Sequence, residues 1–242
     1  MDVAVLVDIV KETDKNWRFI FESPLYPKLD FISGQLVQLV SKPGKEESVV
    51  RNYSIASWAD GTNKFELIIT YLEKGAMSEY LFKEAKIGDE FLYRGPMGLF
   101  VLPEIITRDV YFVSTGSGIS PFRSMLGYIH KHKVPTANIK LFFGTRYEKD
   151  IPYYDEMVKY HNEIPNFEYV PCLSRGEWSS EREHSTPKGY VHEQYLKYVD
   201  DDPSNKPLIY YCGWRGMIDE GRSKLSERGF EIGKDIKVEI FG

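Results

Sequence analysis

Residues Val110-Tyr111-Phe112-Val113-Ser114-Thr115-Gly116-Ser117-Gly118-Ile119-Ser120-Pro121 decide the fold. The first five are β-branched, aromatic or small and read as a buried strand. Gly116 and Gly118 then let the backbone turn tightly and approach a bound group closely. Pro121 suits the first turn of a helix, where its missing N–H costs nothing. Free amides at such a helix start attract phosphate. A tight strand–helix turn without a ligand is an equal reading. The G-x-G-x-x-G pattern is absent, and no acidic residue follows about 20 positions on.

Working outward from this turn, strand and helix alternate to the end of the chain. Helical stretches are expected at 121–133, 152–161, 192–199 and 218–228, with strands at 139–144, 167–173, 208–212 and 237–241. Such alternation implies a parallel sheet with helices on both faces, which binds ligands at the carboxyl ends of its strands. Toward the N-terminus the pattern differs. Short, partly alternating strands are expected at 3–10, 17–21, 35–40, 51–56, 64–71 and 90–94, with one helix at 78–86. That is the pattern of a small antiparallel barrel. The predicted architecture is therefore an antiparallel β-barrel over 1–103 followed by a parallel-sheet α/β domain over 104–242.

Composition narrows the chemistry. The net charge of −5 argues against a general nucleic-acid binder. Two cysteines, Cys172 and Cys212, cannot supply the four thiolates of an ordinary iron–sulfur cluster, and no His/Cys group has zinc spacing. No metal site is expected, so redox chemistry would need an organic cofactor. The five histidines form no cluster, Cys172 reads as structural, and the lysines of 83–86 read as a solvated helix face. With no basic leader and no long apolar run, a cytoplasmic protein without membrane insertion is expected.

Five segments, in order, closely resemble the ferredoxin–NADP⁺ reductase family: Arg51-Asn52-Tyr53-Ser54-Ile55-Ala56-Ser57, Gly75-Ala76-Met77-Ser78, the turn at 115–121, Cys212-Gly213-Trp214-Arg215-Gly216-Met217, and Val238-Glu239-Ile240-Phe241. The family fold, a flavin-binding barrel followed by a nucleotide-binding α/β domain, agrees with the pattern above. The resemblance implies FAD, although FMN is compatible with these residues, and NADP(H). Arg51 offers a planar cation for phosphate. Asn52 and Tyr53 lie along the flavin, and the Ser54 hydroxyl faces flavin N5. Ile69 and Thr70 approach the cofactor from the neighbouring strand, and the amides of Gly75, Ala76, Met77 and Ser78 suit a pyrophosphate. Phe241 would cover the flavin ring, although related chains end on that aromatic and here Gly242 follows.

For the nicotinamide nucleotide, the resemblance assigns Thr115, Gly116, Cys212, Gly213 and Met217. Ser174 and Arg175, with Lys188 and Tyr190, match the pair of elements that holds the 2′-phosphate in NADP-specific members. Ser54, Cys212 and Glu239 are the expected catalytic residues, which set nicotinamide C4 against flavin N5. Plainer readings remain for each: Arg51 as a charged edge residue, Cys212 as a small buried apolar group, Glu239 as an exposed carboxylate, Phe241 as strand-end core. The implied activity is hydride transfer between NADPH and flavin, with single electrons passed to ferredoxin or flavodoxin. Two alternatives stand beside it: the reductase of an oxygenase, of free flavin or of ferric compounds, and a nucleotide-binding electron-transfer subunit without turnover.

Overall fold

The computed structural model describes residues 1–41, 48–179, 188–200, 202 and 205–241. Gly242 and residues 180–187 of the polar loop at 176–187 lie outside the described residues. Strands β1 (Asp2–Lys11), β2 (Asn16–Glu22), β3 (Leu36–Val40), β4 (Val50–Ser54), β5 (Lys64–Thr70) and β6 (Glu90–Met97) form an antiparallel sheet in the order β4-β3-β6-β1-β2-β5. Alternation sends Phe19 and Phe21 inward from β2, and Phe65, Leu67 and Ile69 inward from β5. Each such buried side chain contributes about 1.5–3 kcal/mol. The sheet curls until its ends meet, where the Ala56 N–H donates to the Glu66 carbonyl at 2.8 Å. Helix α1 (Ala76–Lys83) adds Met77 and Leu81 to this core.

The second sheet is parallel: β7 (Val110–Thr115), β8 (Ile139–Thr145), β9 (Phe167–Leu173), β10 (Leu208–Trp214) and β11 (Ile236–Phe241), in the order β11-β10-β7-β8-β9. Helices α2 (Ser120–His132) and α3 (Tyr154–Glu163) share a core on one face. On the other face lie α4 (Val191–Tyr195) and α5 (Arg215–Ser226). The chain steps from β7 outward to β9, then returns to β10 on the other side, so a switch point opens between β7 and β10.

The outer face of β5 is covered too. Ile68 joins the core beneath α2, as do Ala56 and Phe100, and Phe100 packs edge-on against Tyr210 at 5.2 Å between centroids. One apolar core therefore runs across the junction of barrel and α/β domain. Among the described residues, no helix is long and apolar enough to cross a membrane, and no group of three or more His, Cys, Asp or Glu is placed to hold a metal.

Local departures from the sequence pattern have identifiable causes. The glycine turn contains a turn of 3₁₀ helix, Gly116–Ile119, before α2. Helix α3 begins at Tyr154 instead of 152, because Tyr153 is left-handed at φ 53°. Helix α1 ends at Lys83, so Lys86 lies in a turn closed by Asp89, and Lys83 pairs with Glu79. The stretch expected as helix to 199 is α-helical only to Tyr195; Lys197 and Tyr198 N–H groups bond three residues back. Helix α5 starts three residues earlier than expected, at Arg215.

Candidate active site

Strand ends from both sheets converge at the switch point. Cys212 on β10 is in register with Glu239 on β11 and Ser114 on β7. Ser54, the last residue of β4, donates its hydroxyl to Glu239 Oε1 across 185 positions of sequence. Ser54, Cys212 and Glu239 are thus brought together by two different sheets. Ser54 and Cys212 are buried. Burial pushes the Glu239 carboxyl above the usual carboxylate range, and the Ser54 hydroxyl pulls it partly back. Burial also pushes the Cys212 thiol well up, with the charge of Glu239 adding to the effect. Cys212 therefore remains a thiol, suited to shaping the site and not to nucleophilic attack.

The glycine turn lies directly on the end of β10. A Cβ on Gly118 would meet the Cys212 carbonyl oxygen at 2.2 Å, and one on Gly213 (φ 139°) would meet Thr115 Oγ1 at 2.7 Å. Only glycine permits this approach of backbone to backbone. The Trp214 N–H donates to Thr115 Oγ1 at 3.4 Å. Gly116 faces Thr70, whose hydroxyl donates to Asn16 Oδ1 at 2.6 Å. Gly118 belongs to the turn already read from the sequence, whereas Asn16 was not singled out and carried no signal there.

On the barrel side, Tyr53 is half-buried, and burial raises its phenol above the ordinary value. Arg51 is exposed, with Nη1 donating to the Val50 carbonyl at 2.8 Å, and Asn52 accepts from Gln38 Nε2 at 3.2 Å. Gly75 caps α1, but its N–H donates to the Leu72 carbonyl at 2.9 Å. The Ser78 hydroxyl is also engaged there, accepting the Leu72 N–H at 3.2 Å and donating to its carbonyl at 2.8 Å. What this loop offers an anion is the first-turn amides of Ala76, Met77 and Ser78, which no preceding helical carbonyl can take. Ile69 and Met77 point into the barrel core, and Met217 into the core beneath α5. All three side chains are buried there.

The two halves of the expected 2′-phosphate site adjoin. The Gly189 N–H donates to the Leu173 carbonyl at 2.9 Å, which brings Lys188 and Tyr190 beside Ser174 and Arg175. Arg175 and Tyr190 are exposed, Lys188 is ion-paired with Glu177, and Ser174 Oγ donates to the Thr145 carbonyl at 3.2 Å. Arg146, absent from the sequence expectations, is also exposed, and its carbonyl accepts the N–H groups of Arg175 and Gly176. Phe241 is half-buried against the core beneath α2 and sits in register with Trp214, which is 70% exposed. Free amides, a glycine turn at a switch point, a cationic patch and a half-buried tyrosine fit a flavin and a nicotinamide dinucleotide.

Comparison with known proteins agrees. Residues 4–102 match a family model described as an oxidoreductase FAD-binding domain, and residues 112–222 one described as an oxidoreductase NAD-binding domain. Ferredoxin–NADP reductase B of Sorangium cellulosum is 36% identical over 191 residues, covering 78% of this chain and 76% of that protein. The anthranilate 1,2-dioxygenase electron transfer component of Acinetobacter baylyi is 29% identical over 228 residues. This match covers 93% of the chain but only 62% of that protein's length. Among solved structures, the Amycolatopsis cytochrome P450 reductase GcoB superposes with a TM-score of 0.84 at 23% identity, over 100% of this chain and 70% of its own.

Proposed function

The chain belongs to the ferredoxin–NADP⁺ reductase family and is an FAD- and NAD(P)-binding oxidoreductase; from that premise we propose that it moves hydride between NADPH and FAD and exchanges single electrons with ferredoxin or flavodoxin. The observation that carries this reading is the Ser54–Glu239 hydrogen bond, which joins the barrel to the nucleotide-binding sheet beside Cys212. When bound, the flavin supplies the hydride chemistry and can release its two electrons singly, so the protein contributes orientation and electrostatics.

In this reading the chain divides at Pro103 into a barrel, 1–103, and an α/β domain, 104–242. Arg51 takes flavin phosphate, Asn52 and Tyr53 line the flavin, and the amides of Ala76, Met77 and Ser78 take the pyrophosphate, with Gly75 shaping the loop. Ile69 and Thr70 present main chain and hydroxyl from β5. Thr115, Gly116, Gly213 and Met217 shape the nicotinamide slot, which Phe241 covers. Ser174, Arg175, Lys188 and Tyr190 read the 2′-phosphate and adenine. Ser54, Cys212 and Glu239 hold the reacting ring in place and keep a proton at the Ser54–Glu239 pair. Both cysteines are free and buried, which suits the reducing cytoplasm.

A steady-state comparison tests the acceptor. With NADPH as donor, ferredoxin or flavodoxin should be reduced well above background and faster than free flavin. Rapid reduction of free flavin with neither protein reduced would overturn that assignment. A second reading, the reductase component of an oxygenase, draws support from the match to the dioxygenase electron transfer component along 93% of the chain. It predicts that an oxygenase-type iron–sulfur protein is the better acceptor.

A further inference from the structure

We propose that Arg123 is a positioning residue for hydride transfer: with Ser124 and Gly127 it clamps α2 onto Ala56, Ser57 and Trp58, and so sets the glycine turn and Cys212 against Ser54. This rests on the hydride-transfer reading above.

The contacts run in step along one helix and one strand extension. Arg123 Nη1 donates to the Ala56 carbonyl at 3.0 Å and to Glu66 Oε1 at 3.0 Å, and its Nε donates to Glu156 Oε2 at 2.8 Å. The Ser124 hydroxyl donates to the Ser57 carbonyl. A Cβ on Gly127 would meet the Trp58 ring at 2.1 Å, so the helix is pressed onto the indole. Ala56 stands two residues after Ser54, in the segment expected to hold the flavin. At the other end, α2 begins two residues after Gly118, whose backbone lies on Cys212. At about 1.5 Å of rise per residue, the clamp and the glycine turn are little more than one helical turn apart. Moving the clamp therefore moves the turn.

Backbone strain marks the same place. Tyr153 is a bulky residue held in the left-handed region at φ 53°, a conformation that persists only where its surroundings over-determine it. Three contacts do so. Its N–H donates to Glu12 Oε1 at 2.8 Å, its hydroxyl to Glu66 Oε1 at 2.6 Å, and its ring lies 4.4 Å from the Arg123 guanidinium. Arg18 completes the cluster, 2.9 Å from Glu12 and 3.5 Å from Glu66. Glu12, Arg18 and Glu66 come from the barrel, while Arg123, Tyr153 and Glu156 come from the α/β domain. A buried charge cluster is weak evidence for stability, since apolar packing would serve as well. Its directional bonds do fix a register, and register across this junction is what hydride transfer needs.

The test compares Arg123→Met, Arg123→Lys and Gly127→Ala with the wild type in the full chain. Three readouts are needed: hydrogen exchange at residues 55–58, affinity for 2′,5′-ADP, and single-turnover bleaching of the flavin band by NADPH. Arg123→Met and Gly127→Ala should speed exchange at 55–58 and slow bleaching roughly 10- to 100-fold. Flavin content and 2′,5′-ADP affinity should stay within about twofold of wild type, because that ligand meets the patch around Arg175, which shares no residue with the Arg123 cluster. Arg123→Lys should recover part of the rate. Faster exchange with an unchanged bleaching rate would reduce Arg123 to a structural residue and overturn the proposal, as would no change in either. If Arg123→Met does not fold, Ser124→Ala carries the same comparison. A wild type that NADPH cannot bleach would refute the hydride reading instead, and the exchange data would still test the clamp.

Discussion

Replacing Gly118 by alanine puts a methyl carbon 2.2 Å from the Cys212 carbonyl oxygen and 2.8 Å from the Gly213 Cα. Ordinary contact begins near 3.4 Å, so the first approach is too close by about 1.2 Å. Both neighbours are backbone, and no side-chain rotation relieves the clash. Either the turn lifts or the end of β10 retreats. Helix α2 is tied to the barrel through Arg123, so β10 and Cys212 are expected to give way. A shift of about 1 Å at a reacting centre costs roughly 10²-fold in rate, or about 2.7 kcal/mol of barrel-to-nucleotide alignment in the transition state. The assay is anaerobic single-turnover reduction of the bound flavin by NADPH, with flavin content measured in parallel. Gly61→Ala is the control: its φ of 90° strains any side chain, yet an added Cβ meets no atom within 4 Å. It should lower stability and leave the rate alone. Should Gly118→Ala reduce its flavin within about threefold of wild type, the backbone contact between turn and β10 does not set the reacting geometry.

Arg175→Ala should raise KM for NADPH by about 10- to 100-fold, the worth of a charge-assisted hydrogen bond, while KM for NADH changes little; equal effects would remove Arg175 from the phosphate site. Because burial raises the Glu239 pKa, the folded chain keeps this proton where the unfolded chain has lost it. The associated stability is complete below the ordinary value of 4.5 and is lost as pH rises through the folded value. Glu239→Gln should therefore gain in Tm relative to wild type as pH rises above 4.5, and a pH-independent difference would contradict a buried, raised carboxyl. In the barrel, Phe21 stacks on Phe65 at 5.4 Å and meets Phe91 edge-on at 5.2 Å. Phe21→Ala should cost about 3–5 kcal/mol in urea unfolding, and a loss below about 1 kcal/mol would contradict a closed interior.

Both halves of the fold were legible because each rests on local periodicity. The apolar run at 110–114, two glycines and Pro121 announce strand, turn and helix, and β7, the 3₁₀ turn and α2 follow in that order. Alternation likewise predicted the barrel strands. The site was legible mainly through its resemblance to a family. Nothing in the pattern of either strand says that Ser54 meets Glu239, which depends on how the two sheets dock. The resemblance was also blind to side-chain direction: alternation with Phe65 and Leu67 turns Ile69 into the barrel, and Met77 follows the apolar face of α1. Least legible was the charge cluster. Glu66 stands alone in an apolar strand and Arg123 alone in an apolar helix face, and each reads as solvated until the fold supplies the other. Pro152 suggested a helix start, but the left-handed Tyr153 delays it, held by contacts that include Glu12, 141 residues away.

In the proposed function this chain holds a flavin at the junction of its two sheets and reduces it with NADPH. The most direct measurement is the absorbance spectrum of the pure protein, reconstituted with FAD if needed, before and after anaerobic mixing with one equivalent of NADPH. A yellow protein whose flavin band bleaches, with FAD released on denaturation, is the predicted result. A protein that cannot take up flavin, or a flavin band that NADPH leaves unchanged, would contradict it.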